Sequence, residues 1–119
     1  MKDFRQLDVW CLAHELALSV YRQTARFPRE ERYGFTDQMR RASVSISTNL
    51  AEGCGRGGDA DFARFVQIAF GSACEVESLL LLCRELELLA GTDYEPLQSK
   101  LVSVKRMLAA LLKKLKADR

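Results

Sequence analysis

Four segments of this 119-residue chain repeat apolar residues at spacings of three and four, and short polar stretches separate them. This spacing places apolar side chains on one face of an α-helix, whereas a half-buried strand alternates apolar and polar residues. The most regular segment is the last, with Leu97, Leu101, Val104, Leu108, Leu111 and Leu115. Because the length suits one domain, we predict an all-α fold: a single antiparallel up-and-down four-helix bundle over residues 1–119.

Helix-starting and helix-ending residues predict the bounds of the four segments. We expect helices from Leu7 to Arg26, from Thr36 to Gly53, from Asp59 to Gly91, and from Thr92 or Asp93 to about Leu115. Thr36 and Asp59 are suited to N-cap positions, and Pro28 stops the first helix. Pro96 is expected in the first turn of the last helix, where its missing N–H group costs little.

The first three helices each have an apolar face that is expected to pack in the core. On the first helix this face is Leu7, Trp10, Ala17, Tyr21 and Ala25, widened by Val9, Ala13, Leu16 and Val20. On the second it is Phe35, Met39, Ala42, Ile46 and Leu50. On the third it is Phe62, Phe65, Ala69, Ala73, Val76, Leu80 and Cys83.

The third helix has more apolar surface than one core face requires. The residues Leu79 to Leu82 are consecutive and point around the helix, and Phe70, Cys74 and Leu88 lie off its main face. The second helix adds a back face of small residues at Val44, Ser47 and Ala51. Since soluble proteins rarely leave large apolar patches bare, we expect self-association into a homo-oligomer. The alternative is that the third helix is central in the monomer.

Composition restricts the classes of function and the cellular compartment. The 18 Lys and Arg residues nearly balance the 16 Asp and Glu residues, so any basic surface must come from local patterning. The four cysteines have no C-x-x-C spacing and are expected as buried thiols in a reducing cytoplasm. The N-terminus is too polar for a signal peptide and Leu79 to Leu82 is too short to span a bilayer, so no membrane partner is expected.

A line of polar residues borders the apolar face of the second helix. This polar seam consists of Gln38, Arg41, Ser45, Asn49 and Glu52, with Asp61, Arg64, Ser72 and Glu75 as matching groups on the third helix. Two interpretations remain open. The seam is either a hydrogen-bonded network that sets the register of two helices, or a contact site for a ligand or RNA.

Basic residues form three groups. These are Arg26, Arg29 and Arg32; Arg40 and Arg41; and Lys113, Lys114, Lys116 and Arg119. They are either solvated surface or phosphate contacts that an oligomer would repeat. No aromatic residues are interleaved with them to stack unpaired bases, which argues against base-specific binding.

The sequence offers little for catalysis. His14 has Cys11 three residues away but no oxyanion-binding group, so we interpret it as a core or interface histidine. Gly53, Gly55 and Gly58 form a G-x-G-x-x-G pattern, but a predicted helix precedes it where a dinucleotide site needs a strand. We therefore expect no enzyme activity, cofactor, metal or small-molecule substrate.

The central residues also carry a family likeness. They are Gln38-Met39-Arg40-Arg41-Ala42, Ser45-Ile46, Asn49-Leu50-Ala51-Glu52-Gly53, Arg56, Phe62, Phe65 and Ile68-Ala69-Phe70-Gly71-Ser72 with Glu75. With Phe4, Leu7, Trp10, Tyr21 and Phe27-Pro28 upstream, the chain resembles the 23S rRNA-intervening-sequence proteins over nearly its whole length. It departs from them at Ser47, where proline is frequent and would kink the helix, and at Gly57-Gly58, which loosen the following loop.

The resemblance implies a bacterial four-helix bundle that assembles as a ring-like homopentamer, in a lineage found within rRNA genes. A similar bundle is a nucleic-acid-binding accessory protein of retroelements. The leading hypothesis is an oligomeric accessory protein that binds RNA or DNA through phosphates. Its candidate residues are Gln38, Arg40, Arg41, Ser45, Asn49, Glu52, Arg56, Ser72 and Glu75. The alternative is a protein–protein interaction scaffold with no nucleic-acid ligand.

Overall fold

Four long helices make up most of the computed structural model, which describes residues 3–117. They are α1 (Asp8–Thr24), α2 (Asp37–Gly55), α3 (Asp59–Glu85) and α4 (Gly91–Ala117). A 3-10 turn at Phe4–Gln6 precedes α1. A second 3-10 turn (Arg29–Glu31) and a π-helical turn (Arg32–Thr36) connect α1 to α2. Residues 3–117 contain no strand, so the predicted all-α class is confirmed.

The helices pack as an up-and-down four-helix bundle. Each packs against its neighbour in sequence, and α1 also packs against α4, which closes the bundle. Short connections force consecutive helices to run antiparallel. The resulting molecule measures 46 × 22 × 20 Å. The C-terminal end of α1 and the N-terminal end of α2 consequently lie at the same end of the bundle.

The core follows the predicted faces of α2, α3 and α4 closely. All seven predicted core residues of α3 are buried, as are Met39, Ala42, Ile46 and Leu50 of α2. On α4, Val104 and the predicted leucines are buried, except for Leu111, which is half-buried. Tyr94, which was not predicted, is also buried in the core. Regular apolar spacing was sufficient to identify these faces.

The buried face of α1 falls within the wider predicted face but is rotated away from its predicted centre. The residues expected only to widen the face, Val9, Ala13, Leu16 and Val20, form its core together with Ala17. Tyr21 and Ala25 are exposed, and Leu7 and Trp10 are half-buried. Large aromatic side chains dominated the sequence interpretation, whereas the smaller residues allow α1 to approach α2 and α4.

Several helix ends differ from the predicted ends. Thr36 occupies the predicted N-cap position of α2, but its side chain makes no capping hydrogen bond and its dihedral angles are already helical (φ −58°, ψ −48°). Gly58 precedes the first residue of α3, so Asp59 lies inside the first turn. The third helix ends at Glu85 and not at Gly91. The fourth begins at Gly91, which places Pro96 in its second turn.

Gly53 lies inside α2 and does not end it. A Cβ atom placed on Gly53 would lie 2.8 Å from Cβ of Phe65 and 3.2 Å from Cδ1 of Phe62 on α3. The helix continues to Gly55. The residue is glycine because the two helices approach too closely there for a side chain. At Ser47, α2 is continuous and the buried hydroxyl donates to the carbonyl of Val44 at 3.2 Å.

The cysteines were expected to be buried, and two are not. Cys54 and Cys83 are buried, but Cys11 and Cys74 are exposed.

α3 is long and apolar enough, by length and composition alone, to cross a bilayer. Ten of its residues are buried against the rest of the bundle, and a core helix needs the same apolar character.

Candidate nucleic-acid interface

A polar cavity of about 550 Å³ lies at the end of the bundle where α1 connects to α2. Its lining residues are Thr24, Ala25, Phe27, Pro28, Arg29, Arg32, Tyr33, Thr36, Asp37, Arg40 and Arg41. Four of these are arginines, and we refer to the cavity as the arginine pocket. Two basic groups that are separate in the sequence, one in the connection and one on α2, therefore meet in a single site.

The local sequence explains the shape of the connection. Pro28 follows the end of α1 and adopts an extended conformation (φ −58°, ψ 149°), so the chain cannot continue in the direction of the helix. The chain then turns through Arg29–Glu31 and Arg32–Thr36 into α2. π-Helical turns are rare in proteins, and those that do occur are often found at functional sites. This one carries Arg32 and Tyr33, and the side chain of Tyr33 is 88% exposed.

The arginines of the pocket differ in how strongly the protein already engages them. Within residues 3–117, Arg29 and Arg32 form no ion pair with a carboxylate. The side chain of Arg41 is 80% exposed and lies 3.3 Å from the carboxylate of Asp37, one turn earlier on α2. An exposed pair of this kind contributes little to stability and is easily exchanged for a phosphate.

Arg40 is held in place by α1. Its Nε donates to Oγ1 of Thr24 at 2.9 Å, and its Nη2 donates to the carbonyl of Tyr21 at 3.3 Å. The guanidinium also stacks over the ring of Tyr21, 4.5 Å from its centroid. A cation at the last carbonyls of a helix is favourable because that end of the helix dipole is negative. Arg40 therefore joins α1 to α2 and presents a fixed charge at the pocket wall.

The pocket carries an excess of positive charge. Against four guanidinium groups, the lining contains the carboxylate of Asp37, which leaves three positive charges unbalanced. Glu30 and Glu31 lie on the same connection but do not line the cavity. A concave site lined by one sign of charge concentrates ions of the opposite sign. Planar guanidinium groups match the oxygen geometry of phosphates.

The middle of the polar seam is a hydrogen-bonded network between α2 and α3. The hydroxyl oxygens of Ser45 and Ser72 lie 2.8 Å apart. Asn49 donates from Nδ2 to the carbonyl of Ser45 at 2.7 Å and to its hydroxyl at 2.9 Å. These half-buried groups satisfy one another, as the structural interpretation of the seam requires.

The ends of the seam are solvent-facing and do not join this network. Arg56 donates to Glu52 at 2.8 Å on the surface and lies over the ring of Phe65 at 5.1 Å. Gln38 and Glu75 are exposed. The nine candidate residues are therefore spread along the bundle, and among them Arg40 and Arg41 line the arginine pocket.

Arg29, Arg32 and Tyr33 line this site but were not among the nine candidate residues. Arg29 and Arg32 were noticed as basic residues but not joined to Arg40 and Arg41, because the path of the connection was unknown. Tyr33 was overlooked, so the expectation that no aromatic residue accompanies the arginines is wrong. The available signal was its position, one residue after Arg32 and outside every apolar face.

The third basic group lies elsewhere. Lys113, Lys114 and Lys116 are exposed near the end of α4, and Arg119 lies outside the described residues. These lysines suit the negative end of the helix dipole. Lys116 lines a small cavity with Arg64, Gln67 and Leu112, separate from the arginine pocket.

An open apolar groove runs between α1 and α2 on the outside of the bundle, with a volume of about 480 Å³. We refer to it as the apolar groove, and its lining residues are Phe4, Trp10, His14, Ala17, Leu18, Tyr21, Val44, Ser47, Thr48 and Ala51. The small-residue back face predicted on α2 thus forms one of its walls. Leu18 and Tyr21 are each 43% exposed.

His14 is exposed on this groove and does not lie in the core. Its ring stacks on Trp10 with centroids 4.8 Å apart and an interplanar angle of 14°. Trp10 in turn makes an edge contact with Phe4 at 4.8 Å. Within residues 3–117, no group of three or more His, Cys, Asp or Glu side chains is arranged to hold a metal ion.

Comparisons with known proteins agree with this architecture. The sequence model of one family, described as 23S rRNA-intervening sequence protein, matches residues 5–110. A similar solved structure is that of a protein of unknown function from the S23 ribosomal protein family of Bacteroides thetaiotaomicron VPI-5482. The two have a TM-score of 0.79 and 23% sequence identity, over 88% of this chain and 98% of that protein. At this identity the similarity shows the fold alone. No curated protein is significantly similar in sequence.

Proposed function

Because this chain belongs to the family of 23S rRNA-intervening sequence proteins, we propose that it is a cytoplasmic, non-enzymatic protein that binds RNA through phosphates and assembles with copies of itself. The observation that carries the RNA-binding proposal is the arginine pocket. Four arginines from two separate segments line one cavity, where a single carboxylate opposes them. Concentrating positive charge in this way has an electrostatic cost, which a bound phosphate removes.

The arrangement supports binding to the nucleic-acid backbone more than direct reading of sequence. Arg29, Arg32 and Arg41 are exposed and able to reach phosphate oxygens, while Arg40 keeps its position through α1. Contacts of this kind position a protein on nucleic acid without selecting a base. An oligomer would repeat the pocket in every copy and raise the apparent affinity for one strand.

Self-assembly is supported by apolar surface that the single chain leaves uncovered. The apolar groove exposes Leu18 and Tyr21, and on α3 Leu81 and Leu82 are 42% and 44% exposed. These two surfaces lie on different helices, so a contact between them would be head-to-tail, which is the type of contact from which rings are built. We propose a homopentamer, the number that the family resemblance implied.

The protein–protein scaffold remains the second candidate, and the apolar groove is the observation that favours it. The groove has a volume of about 480 Å³, and Phe4, Trp10 and Tyr21 are among its lining residues. A groove of this kind could accept an apolar segment of another protein. Co-purification separates the two candidates. Under the proposed function, nucleic acid is recovered with the protein; under the scaffold, a partner protein is recovered without it.

The salt dependence of binding tests the arginine pocket. We expect fragments of large-subunit rRNA to bind tightly at low salt and to dissociate steeply as salt rises. Replacing Arg29, Arg32 and Arg41 together with alanine removes up to three phosphate contacts. The slope of log affinity against log salt should then flatten by about 2 for single-stranded RNA. Arg40 is left intact because its loss would also break contacts with α1.

The matched control removes the same charge elsewhere. Lys113, Lys114 and Lys116 are exposed on α4, and replacing all three with alanine also lowers the net charge by three. The proposal expects this variant to keep most of the salt slope. A slope that flattens in the lysine variant and not in the arginine variant would place binding at the end of α4. Absence of any binding at low salt would remove the RNA-binding proposal.

A further inference from the structure

We infer that the arginine pocket binds a single unpaired nucleotide, with the base stacked on Tyr33 and the phosphate held by Arg29, Arg32 and Arg41. The inference rests on the proposed function, because it assigns a substrate class to the same pocket. It goes further because it predicts that the pocket prefers single-stranded RNA to duplex RNA. Phosphate contacts alone do not distinguish the two.

The first observation is the exposure of Tyr33. Its side chain is 88% exposed, and the next most exposed large apolar side chain in the described part of the chain is Leu86 at 55%. An aromatic ring gains considerable free energy from burial, so leaving it in water is unfavourable. Tyr33 lies on the π-helical turn and lines the same cavity as the four arginines, and it stays almost fully exposed there.

The second observation is that the ring of Tyr33 has no stacking partner. Other aromatic rings of the bundle carry an arginine: Arg40 lies over Tyr21, Arg84 over Tyr94, and Arg64 over Phe65. Within residues 3–117, neither a cation nor a second ring stacks on Tyr33. Arginines of the same pocket do not cover the ring, so its faces are available to a ligand.

The chemistry of stacking selects an unpaired base. Bases in a duplex already stack on their neighbours, and an aromatic side chain reaches a base face only where the strand is single or the base is turned out. A flat ring beside several guanidinium groups is the arrangement by which proteins hold single strands, through base stacking and phosphate contacts together. The volume of about 550 Å³ lies within the range of pockets for small ligands.

The division of roles within the pocket follows from its contacts. Arg40 is fixed by Thr24 and Tyr21 and serves as a rigid wall. Arg41 is paired with Asp37 on the surface and can exchange that carboxylate for a phosphate. Arg29 and Arg32 precede Tyr33 on the same connection and line the same cavity, so we assign to them the phosphate of a nucleotide whose base covers the ring.

The experiment compares a short single-stranded RNA with a duplex of the same length and sequence, bound to the full chain and to the Tyr33→Ala variant. We expect Tyr33→Ala to weaken binding of the single strand by about 5- to 150-fold, the loss of one stacked base. Binding of the duplex should be unchanged. The salt slope of the single strand should also be unchanged, because the phosphate contacts remain.

Two further variants isolate the flat ring as the cause. Tyr33→Phe keeps the ring and should bind the single strand like the parent chain. Tyr33→Leu keeps an apolar side chain without a ring and should bind like Tyr33→Ala. Circular dichroism is expected to show the same helix content in all variants, since the side chain is nearly fully exposed.

The outcomes separate this inference from the proposed function. If single strand and duplex bind with an arginine-dependent salt slope but Tyr33→Ala changes neither affinity, the inference is overturned and phosphate binding at the pocket stands. Equal weakening of single strand and duplex also overturns it. If neither nucleic acid binds the parent chain at low salt, the proposed function fails and the inference fails with it.

Discussion

Gly53 and Gly55 are two residues apart on α2 and have opposite surroundings. A Cβ atom on Gly53 would meet Phe65 and Phe62 on α3, whereas one on Gly55 would meet nothing within 4 Å. Gly53 is also buried, while Gly55 is exposed. One glycine is thus required by the packing of two helices, and the other only lowers the propensity of the chain to be helical.

This contrast yields a prediction for a matched pair of variants. Gly53→Ala should lower the free energy of unfolding by about 1–3 kcal/mol, because the contact of 2.8 Å with a Cβ atom forces α2 and α3 apart. Gly55→Ala should leave it unchanged or raise it by up to about 1 kcal/mol. Urea denaturation followed by circular dichroism measures both. Equal effects of the two substitutions would contradict the close approach at Gly53.

The cysteines differ in reactivity for a physical reason that the structure supplies. Burial raises the pKa of the Cys83 thiol to about 12, with a smaller contribution from the charge of Glu31. The thiol also lies 3.9 Å from the sulfur of Met39, inside the core. Because the thiolate is the reactive form, Cys83 is protected both by its pKa and by its position.

We therefore predict that a thiol reagent at pH 8 labels Cys11 and Cys74 in the folded protein, and all four cysteines after unfolding. The pH dependence has a definite sign. The folded state holds the Cys83 proton more tightly than the unfolded state, so the contribution of this group to stability is complete below about pH 9. It is lost as pH rises towards about 12. Rapid labelling of Cys83 in folded protein at pH 8 would show that the core around it opens.

At the scale of a secondary-structure element, the end of α3 is the most informative feature. The N–H of Leu88 donates to the carbonyl of Cys83 at 2.9 Å, and that of Glu87 donates to the carbonyl of Arg84 at 3.0 Å. These two bonds form a Schellman motif, in which the first residue after the helix C-cap adopts the left-handed conformation. Glu87 has a φ of 61°, which a residue with a Cβ atom adopts at a cost.

Glu87→Gly should consequently stabilise the protein by about 1 kcal/mol, because glycine adopts this conformation without the steric penalty. The control is Glu85→Gly, which introduces the same residue into the last turn of α3 and should destabilise by about 1 kcal/mol. Thermal unfolding distinguishes the two. A loss of stability with Glu87→Gly would mean that the left-handed turn does not form in solution.

At the scale of the whole molecule, the polar cavity and the apolar groove lie on different parts of the surface. The arginine pocket lies at the end of the bundle, and the apolar groove lies along its side between α1 and α2. Tyr21 belongs to the groove and also holds Arg40 of the pocket, through its carbonyl and its ring. Self-assembly along the side of the bundle would therefore leave its end open to a ligand.

Assembly through the groove predicts that Leu18→Lys lowers the mass of the purified particle. The parent protein is expected at five times the 13.5 kDa of the chain, and the variant as a folded species of lower mass. A lysine in the apolar groove would place an unpaired charge in a buried interface. Light scattering with circular dichroism measures mass and folding together.

The control for this experiment is Ser99→Lys, which adds the same charge at an exposed position on α4 outside the groove. It should retain the mass of the parent. A parent protein that is monomeric at micromolar concentration would contradict self-assembly. A Leu18→Lys variant that remains assembled would place the interface away from the groove.

The periodicity of apolar residues was sufficient to identify the helices, the all-α fold and the core faces of α2, α3 and α4. It succeeded because burial of an amphipathic face is a property of each segment by itself. The central motif was likewise sufficient for the family. Periodicity failed on α1, where it favoured Tyr21 over Val20, because two adjacent stripes were apolar and the packing of α2 and α4 selected between them.

The tertiary structure alone decided where functional groups meet. Arg29 and Arg41 lie in different elements, and the π-helical turn between them brings both to one cavity. The roles of Arg40 and Arg41 could not be separated in the sequence, because adjacent helical residues differ only by the neighbour that each one faces. Local patterns determine which helices form, whereas contacts between them determine which charges are bound by the protein and which remain for a ligand.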